Sequence, residues 1–291
     1  MIKQTAGERV FSIMNYVILI LLAIITLFPF VYVILVSVTP ASELVNVGKG
    51  ILYVPKSLDF LAYKQIFETD TIPQAYKISI FVTVVGTVLS LLVTVLTAYP
   101  LSRRRLPGRS ILLFIITFTM LFGGGLIPTY MVVRSLKLLD SVWALILPST
   151  VSAFNLIIMK NYFLTIPDSL EESAKLDGAN DFLILFRIIL PLSLPMLATI
   201  ALFYMVGYWN AFFNAIIYIN NQRLYPLQVV LRQILFSASS DQVFNIVETT
   251  KASSLAVRMA TIVVTTVPIL VVYPFLQRYF TQGILLGSVK E

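Results

Sequence analysis

Six long apolar segments without any Asp, Glu, Lys or Arg constrain this chain more than any other feature of its sequence. A helix needs about 20 apolar residues to cross a bilayer, and each segment is close to that length or longer. Because the apolar runs are continuous rather than alternating, helices are favoured over a β-barrel. The sequence therefore predicts an all-α polytopic integral membrane protein with six transmembrane helices. The segments are 13–36, 78–98, 111–133, 142–159, 189–217 and 260–277.

The composition agrees with this class and excludes several kinds of chemistry. The 291 residues are 58% hydrophobic and 12% charged, and the mean hydropathy is +0.90. The absence of Cys and His excludes disulfides, thiolate chemistry and the usual zinc ligand sets. No G-x-x-x-x-G-K-[ST] motif occurs, so the chain is not expected to bind ATP by a phosphate loop. No metal, bound cofactor or catalytic residue is therefore predicted for this chain.

The basic residues predict the orientation of the chain in the membrane. The short link between the second and third segments holds four arginines within Arg103–Arg109, and short loops dense in Lys and Arg stay in the cytoplasm. Both termini and the polar stretch 169–181 are then cytoplasmic, whereas 39–77 and 220–259 are external. This topology accounts for the net charge of +7, so nucleic acid is not expected as a partner.

The polar stretch between the fourth and fifth segments is a candidate docking helix, at about residues 169–181. Asp168 or Ser169 can accept hydrogen bonds from free N–H groups at a helix start. Ala174 and Gly178 lie four residues apart on one face, where small side chains let a partner approach closely. Because Gly costs about 1 kcal/mol relative to Ala inside a helix, Gly178 is better explained as a bend or a close contact. A polar helix joined directly to a transmembrane segment predicts a site on which an external protein acts.

This stretch resembles the EAA signature of ABC-importer permease subunits. Glu172–Ala174 is followed by Gly178 and then by Ile188 and Leu190–Pro191, which matches the family pattern EAA–G–I-x-LP. The match falls between the fourth and fifth segments, where this family carries it. The departure is Ser173, where the middle Ala is usual; because Ser is also small, docking is expected to survive.

Further motifs extend the resemblance over nearly the whole chain. The run FGGGLIPT, residues 122–129, is similar to the subgroup that handles oligosaccharides and polysaccharide fragments, such as the second permease subunit of a bacterial alginate importer. Other motifs resemble the carbohydrate-uptake branch, whose familiar members are the maltose-importer permeases. These motifs are Asp177-Gly178-Ala179, Tyr208-Trp209-Asn210 and Gln277-Arg278-Tyr279-Phe280.

The resemblance implies a single permease domain, residues 1–291, with the type I ABC importer fold in the lipid of the bacterial cytoplasmic membrane. The chain would form a heterodimer with a second permease subunit. Two copies of a cytoplasmic ATPase would bind ATP and Mg²⁺, and the tail 287–291 would reach between them. An external solute-binding protein, approached by the loop 220–259, would deliver an oligosaccharide. Glu172 would pair with a basic group of the ATPase, and the implied docking residues are Glu171, Glu172, Ser173, Ala174, Asp177, Gly178 and Ala179.

The fifth segment is the most polar and is a candidate for lining the translocation path. Aromatic faces and amides are the groups that bind sugars, although Asn and Gly also serve helix packing. The glycine run 123–125, with Pro128, breaks the third segment near its outer end. One face carries Phe203, Gly207, Asn210 and Asn214 at helical spacing, and an adjacent stripe carries Tyr204 and Tyr208 with Trp209 and Phe213 beside them. The candidate path residues are Tyr204, Tyr208, Trp209, Asn210 and Asn214.

Three other functions are compatible with parts of the sequence. A secondary transporter acting alone is disfavoured because no predicted span holds an ionisable residue of the kind that ion coupling needs. A membrane enzyme has few candidate catalytic groups without His, Cys or intramembrane carboxylates. An ABC permease for a peptide, an amino acid or an ion differs only in cargo, and assays on the external binding protein would distinguish it.

Overall fold

The computed structural model describes residues 6–48, 50–236 and 254–288, and every regular element within those residues is helical. Two parts of the predicted cytoplasmic and external regions, 237–253 and 289–291, lie outside the described residues. The α-helices are α1 Ala6–Ser37, α2 Leu61–Glu68, α3 Thr71–Ser102, α4 Arg109–Leu121, α5 Leu126–Ser135, α6 Trp143–Ile146, α7 Ala153–Phe163, α8 Asp168–Leu176, α9 Asp181–Ile184, α10 Leu190–Leu192, α11 Leu194–Trp209, α12 Phe213–Tyr218, α13 Leu227–Phe236 and α14 Ser254–Ser288. Short 3₁₀ turns cover Leu44–Asn46, Leu147–Ser149 and Gln222–Leu224, and a π-helical turn covers Leu185–Ile189.

The predicted apolar segments map onto these helices with breaks. Gly7–Ser37 and Thr71–Ser102 are each long and apolar enough to cross a membrane as one helix. Three further candidates are helix pairs bent by 116°, 50° and 85°, so the described residues hold up to five spans. The sixth predicted segment lies within α14, and the count of six spans stays a prediction.

The breaks have local causes in the sequence. Between α4 and α5, Gly125 adopts φ +84, a conformation that Gly reaches without steric cost, and the predicted break of the third segment is thus observed. Between α6 and α7, Pro148 removes a backbone donor. Between α10 and α11 the chain bends at Ser193, so the prediction of one helix over 189–217 was wrong at both ends. The membrane helix here begins at Leu194, because Pro195 favours a first helical turn, and it ends at Trp209.

The chain divides into two compact units by its internal contacts. The first comprises 1–70 and 233–267, and the second 71–232 and 268–291. The predicted single domain 1–291 therefore stays a prediction.

In the first unit, hydrogen bonds connect the end of α1 to the loop that follows and to α2. The Ser37 and Tyr63 hydroxyls lie 2.7 Å apart, and the Asp59 amide donates to the Val38 carbonyl at 2.8 Å. Most of the apolar side chains on α1 are exposed in this chain. Such a helix needs lipid or another protein around it.

The core of the second unit is formed by α3, α7 and α11. Its fully buried side chains include Val82, Met159, Phe163, Ile189 and Ile200. Because α3 runs through this core from Thr71 to Ser102, it separates two ends of the unit by about 45 Å at 1.5 Å per residue. One end meets α8, and the other meets the turn before α13.

Candidate functional site

The polar helix α8, Asp168–Leu176, has one buried side and one exposed side. Of its nine residues only Glu171 and Ala174 are buried. Asp168 and Glu171 lie in the first turn, where the helix dipole favours negative charge. The helix is shorter than the predicted 169–181, and its exposed side carries Glu172 and Ser173.

Glu171 is a buried carboxylate, 8% exposed, that connects α8 to the end of α3. The Arg103 Nε atom lies 2.9 Å from Glu171 Oε2. The contact is an ion pair by distance rather than a well-directed hydrogen bond, because the N–H of Nε finds no acceptor in line. The Tyr99 hydroxyl donates to Glu171 Oε1 at 3.2 Å, and the Arg103 guanidinium stacks over the Tyr99 ring at 4.7 Å.

Lys175 extends this network across the bend that follows α8. Its Nζ lies 3.1 Å from Glu171 Oε1 and 3.1 Å from Asp181 Oδ1. The hydrogen bond to Glu171, followed by that to Asp181, raises the pKa of Lys175 above its usual value. Both carboxylates therefore hold Lys175 in its charged form, and Lys175 links α8 to the start of α9.

Gly178 makes the bend between α8 and α9. Its φ of +83 lies in the left-handed region, which is typical of the residue after a helix end. The Ala179 amide donates to the Ala174 carbonyl at 3.0 Å, and the Asn180 side chain accepts from the Leu183 amide at 2.8 Å. No other atom lies within 4 Å of the position of an added Cβ at Gly178. The conformation of a turn, rather than a close contact, therefore explains this glycine.

The exposed side of α8 also presents an apolar residue that sequence analysis missed. Leu176 is 90% exposed, and Glu172, Ser173 and Asp177 are exposed with it. The sequence contained a signal for this residue. A single leucine on a helix without an apolar stripe does not pack into the core of its own chain and is available to a partner. A groove of about 800 Å³ runs between the arginine-rich link, Arg103–Pro107, and this helix.

The second unit also holds a cavity of about 390 Å³. Asn210 and Asn214 line it, together with Phe203 and Gly207. The predicted helical spacing of these four residues is interrupted, because α11 ends at Trp209 and Asn214 belongs to α12. All four nevertheless face one cavity.

The two tyrosines predicted for the path lie at the edge of this cavity with their hydroxyls bonded to neighbouring elements. The Tyr204 hydroxyl lies 2.8 Å from Thr94 Oγ1, and the Tyr208 hydroxyl lies 2.9 Å from Ser90 Oγ. Each tyrosine is only 5% exposed. A substrate role for them stays a prediction, and their packing against α3 is observed.

A glycine makes room for one of these tyrosines, and the third predicted aromatic residue packs elsewhere. A Cβ added at Gly86 would lie 2.7 Å from the Tyr208 ring, so Gly allows α3 and α11 to approach here. Trp209 is buried and meets the Tyr76 ring edge-on at 6.3 Å. It is not among the residues that line the cavity.

Sequence reasoning missed the polar wall that the broken fourth segment contributes to the cavity. Ser149, Ser152 and Asn155 line it opposite Asn210. The signal was a cluster of small polar residues directly after Pro148, which breaks the helix. Among the described residues, no group of three or more His, Cys, Asp or Glu side chains is arranged to hold a metal ion.

Comparison with known proteins defines the class to which this fold and site belong. Residues 90–286 match the family described as the binding-protein-dependent transport system inner membrane component. The chain is 50% identical over 285 residues to the polygalacturonan/rhamnogalacturonan transport system permease protein YtcP of Bacillus subtilis (strain 168), covering 97% of this chain and 99% of that protein. It is 31% identical to the galactooligosaccharides transport system permease protein GanQ of the same organism, covering 95% and 94%.

A solved structure is similar over almost the whole chain. It is the crystal structure of a bacterial ABC transporter involved in the import of the acidic polysaccharide alginate. The TM-score is 0.89 and the identity is 36%, with 96% of this chain and 100% of that chain covered.

The chain therefore belongs to the family of inner membrane components of binding-protein-dependent transport systems. It has the all-α fold of an ABC transporter permease, and the predicted resemblance is confirmed. Members of this family form the membrane part of the transporter, so the chain is a membrane-embedded permease component.

Proposed function

We propose that this chain forms one half of the transmembrane pathway of an ATP-driven importer for an oligosaccharide or a polysaccharide fragment. The names of its relatives support this cargo, since they include permeases for polygalacturonan/rhamnogalacturonan and for galactooligosaccharides. The second half is a related but different permease subunit. A solute-binding protein delivers the sugar from outside, where the segments 39–77 and 220–259 are predicted to lie. Both termini and α8 face the cytoplasm.

The observation that carries the proposal is that two consecutive carboxylates of α8 differ in burial and in pairing. Glu171 is buried and paired with Arg103 of its own chain, whereas Glu172 is exposed. An exposed carboxylate is suited to pair with a basic group of an ATPase when the buried side of its helix is anchored to its own chain. Leu176 adds an apolar contact beside it, because 90% of its surface is available.

The remaining docking residues support this surface in different ways. Ser173 and Asp177 are exposed next to Glu172, and Ala174 seats the helix against its own chain. Gly178 and Ala179 form the turn that ends the helix. Two copies of the ATPase bind ATP and Mg²⁺, and this chain supplies no catalytic residue.

The mechanism follows from the connections behind α8. When ATP binding draws the two ATPases together, α8 moves with the subunit to which it is docked. The Arg103–Glu171 pair transmits this displacement to α3, and Lys175 transmits it through Asp181 to α9. Because α11 lines the cavity and packs on α3, the cavity changes its access from one side of the membrane to the other.

Reversal of the docking charge tests the proposal. Glu172→Lys in the reconstituted importer should abolish ATP-driven sugar uptake, while the permease pair still inserts and folds. Glu8→Lys is the matched control, because it makes the same charge change on an exposed side chain of α1 outside the proposed docking surfaces, and it should transport normally. Normal uptake by Glu172→Lys, with a normal ratio of ATP hydrolysed to sugar moved, would refute docking through this helix.

A further inference from the structure

The cavity lined by α11 and α12 is polar but carries no charge of its own. Its hydrogen-bonding side chains are hydroxyls and amides, and none of its lining residues is Asp, Glu, Lys or Arg. Its volume of about 390 Å³ lies within the range of small-molecule sites. Amides and hydroxyls both donate and accept hydrogen bonds, as the hydroxyls of a pyranose require. The polar side chains in question are Ser149, Ser152, Asn155, Asn210 and Asn214.

A cation, Arg232, is not among the residues that line this neutral cavity but contacts one of them. The Arg232 guanidinium stacks over the ring of Phe212 at 4.7 Å from its centroid, and Phe212 lines the cavity. Stacking engages the flat face of the guanidinium and leaves its N–H groups directed sideways in the plane. With five such donors, an exposed arginine can hold a contact to its own chain and still bind a carboxylate.

The position of Arg232 is fixed by the start of its helix. The Leu227 amide, at the beginning of α13, donates to Ser79 Oγ at 2.8 Å in a buried contact. Gln74 Nε2 donates to the Arg223 carbonyl at 3.3 Å. These two bonds hold the chain before Arg232 against the first turns of α3, at the end of the unit farthest from α8.

The charges around this end are predominantly positive. In the described segments 70–77, 126–148 and 210–232 the acidic residues are Asp70, directly before α3, and Asp140, to which three N–H groups of Asn220 and Asn221 already bind. An excess of one sign of charge around a concave site attracts ligands of the opposite sign. The basic residues are Lys77, Arg134, Lys137, Arg223 and Arg232.

We propose that the cavity and Arg232 together form a subsite for a uronic acid residue, in which the neutral wall binds the pyranose hydroxyls and Arg232 binds the carboxylate. The inference rests on the proposed function and narrows its cargo to acidic oligosaccharides. Arg232 is then a specificity-determining residue of the permease. Phe212 serves as the platform that holds the guanidinium beside the cavity.

A pair of probes that differ only in charge tests this subsite. The complete importer, reconstituted in liposomes with its binding protein, is given trigalacturonate or the methyl ester of the same trisaccharide. Arg232→Gln is compared with Arg134→Gln, which removes the same charge at the same end of the unit from an exposed side chain of α5. Trigalacturonate uptake should show a KM raised about tenfold in Arg232→Gln and by less than twofold in Arg134→Gln. Uptake of the ester should not distinguish Arg232→Gln from the unmodified importer.

The outcomes separate this inference from the proposed function. Equal losses for acid and ester in Arg232→Gln, or equal losses in both variants, would overturn the subsite. ATP-driven uptake of neutral oligosaccharides without any uptake of trigalacturonate would overturn the subsite and leave the proposed function intact. No ATP-driven uptake of any oligosaccharide would overturn the proposed function and this inference together. Partial recovery of trigalacturonate uptake in Arg232→Lys would confirm that the positive charge of this side chain recognises the carboxylate.

Discussion

Arg103 Nε lies 2.9 Å from Glu171 Oε2, and this contact joins the last turn of α3 to α8. Both side chains are largely buried, at 19% and 10% exposed. Breaking a buried ion pair costs about 3–5 kcal/mol, and because this pair keeps some contact with solvent we expect about 2 kcal/mol. Arg103→Glu and Glu171→Arg should each lower the thermal unfolding midpoint and reduce ATP-driven uptake.

The double exchange Arg103→Glu with Glu171→Arg provides the control for this pair. It restores opposite charges, so it should recover part of both the stability and the uptake. Arg104→Glu changes the exposed neighbour and should have little effect on stability. If the double variant lost as much stability and uptake as the two single variants together, the pair would not transmit displacement from α8 to α3.

Gly86→Ala should destabilise the packing of α3 on α11. The new Cβ would lie 2.7–2.9 Å from three atoms of the Tyr208 ring, so the ring must move and its bond to Ser90 must lengthen. Overpacking of this kind costs about 1–3 kcal/mol. Unfolding of the purified permease pair in detergent measures the effect. Gly207→Ala is the control, since nothing lies within 4 Å of its added Cβ, and an equal loss there would contradict the argument.

Gly178→Ala should cost about 1–2 kcal/mol through backbone strain alone, because a left-handed conformation is unfavourable for residues with a Cβ. The φ of +83 requires this conformation, and no neighbouring atom would clash. Gly178→Asn should be tolerated better, since Asn enters the left-handed region more readily. Measurements of sugar uptake and of thermal unfolding for both variants test whether Asn is tolerated better than Ala. If Ala and Asn behaved alike, strain at this turn would not be the cause.

Asp140 predicts a pH dependence of the contact between the loop after α5 and the loop after α12. Hydrogen bonds from the Asn220 amide, then from the Asn221 amide, lower the pKa of Asp140 below its usual value. A lowered pKa stabilises the folded form above about pH 5, and this contribution is lost as the pH falls through the folded pKa, below about 4. Exchange of the Asn220 and Asn221 amides, corrected for intrinsic rates, should accelerate between pH 5 and pH 3. Asp140→Asn should exchange faster at pH 5 and show no such step; a step that persists in this variant would contradict the assignment.

The class of the protein and the position of α8 were predictable because each depends on local sequence. Charge-free length predicts a membrane helix, and Pro167 followed by acidic residues predicts the start of α8. The predicted cap by Asp168 or Ser169 was wrong, because the helix already begins at Asp168 and no side chain caps it. The break at Gly125 was predictable for the same reason. The two faces of α8 were not predictable, since Glu171 and Glu172 have the same chemistry and only the position of Arg103 on another helix distinguishes them.

The cavity was predicted only in part, because its walls come from separate helices. Asn210 and Asn214 were identified by their polarity within an apolar segment. Ser152 and Asn155 were missed, since their role depends on how α7 packs beside α11. Tyr208 looked like a path residue, and its hydroxyl is bonded to Ser90, 118 positions away. A hydrogen-bond partner so distant in the sequence cannot be predicted from the residues around Tyr208.

The register of α8 has a consequence for engineering chimaeric transporters. Deleting a single residue between Pro167 and Glu171 would rotate the helix by about 100°, placing Glu172 against Arg103 and Ser173 where Glu172 meets the motor subunit. Inserting one residue would place Glu171 on the outer side and Leu170 against Arg103. Grafts that swap this segment between importers must therefore be joined in frame with the preceding proline, whatever the similarity of the sequences exchanged.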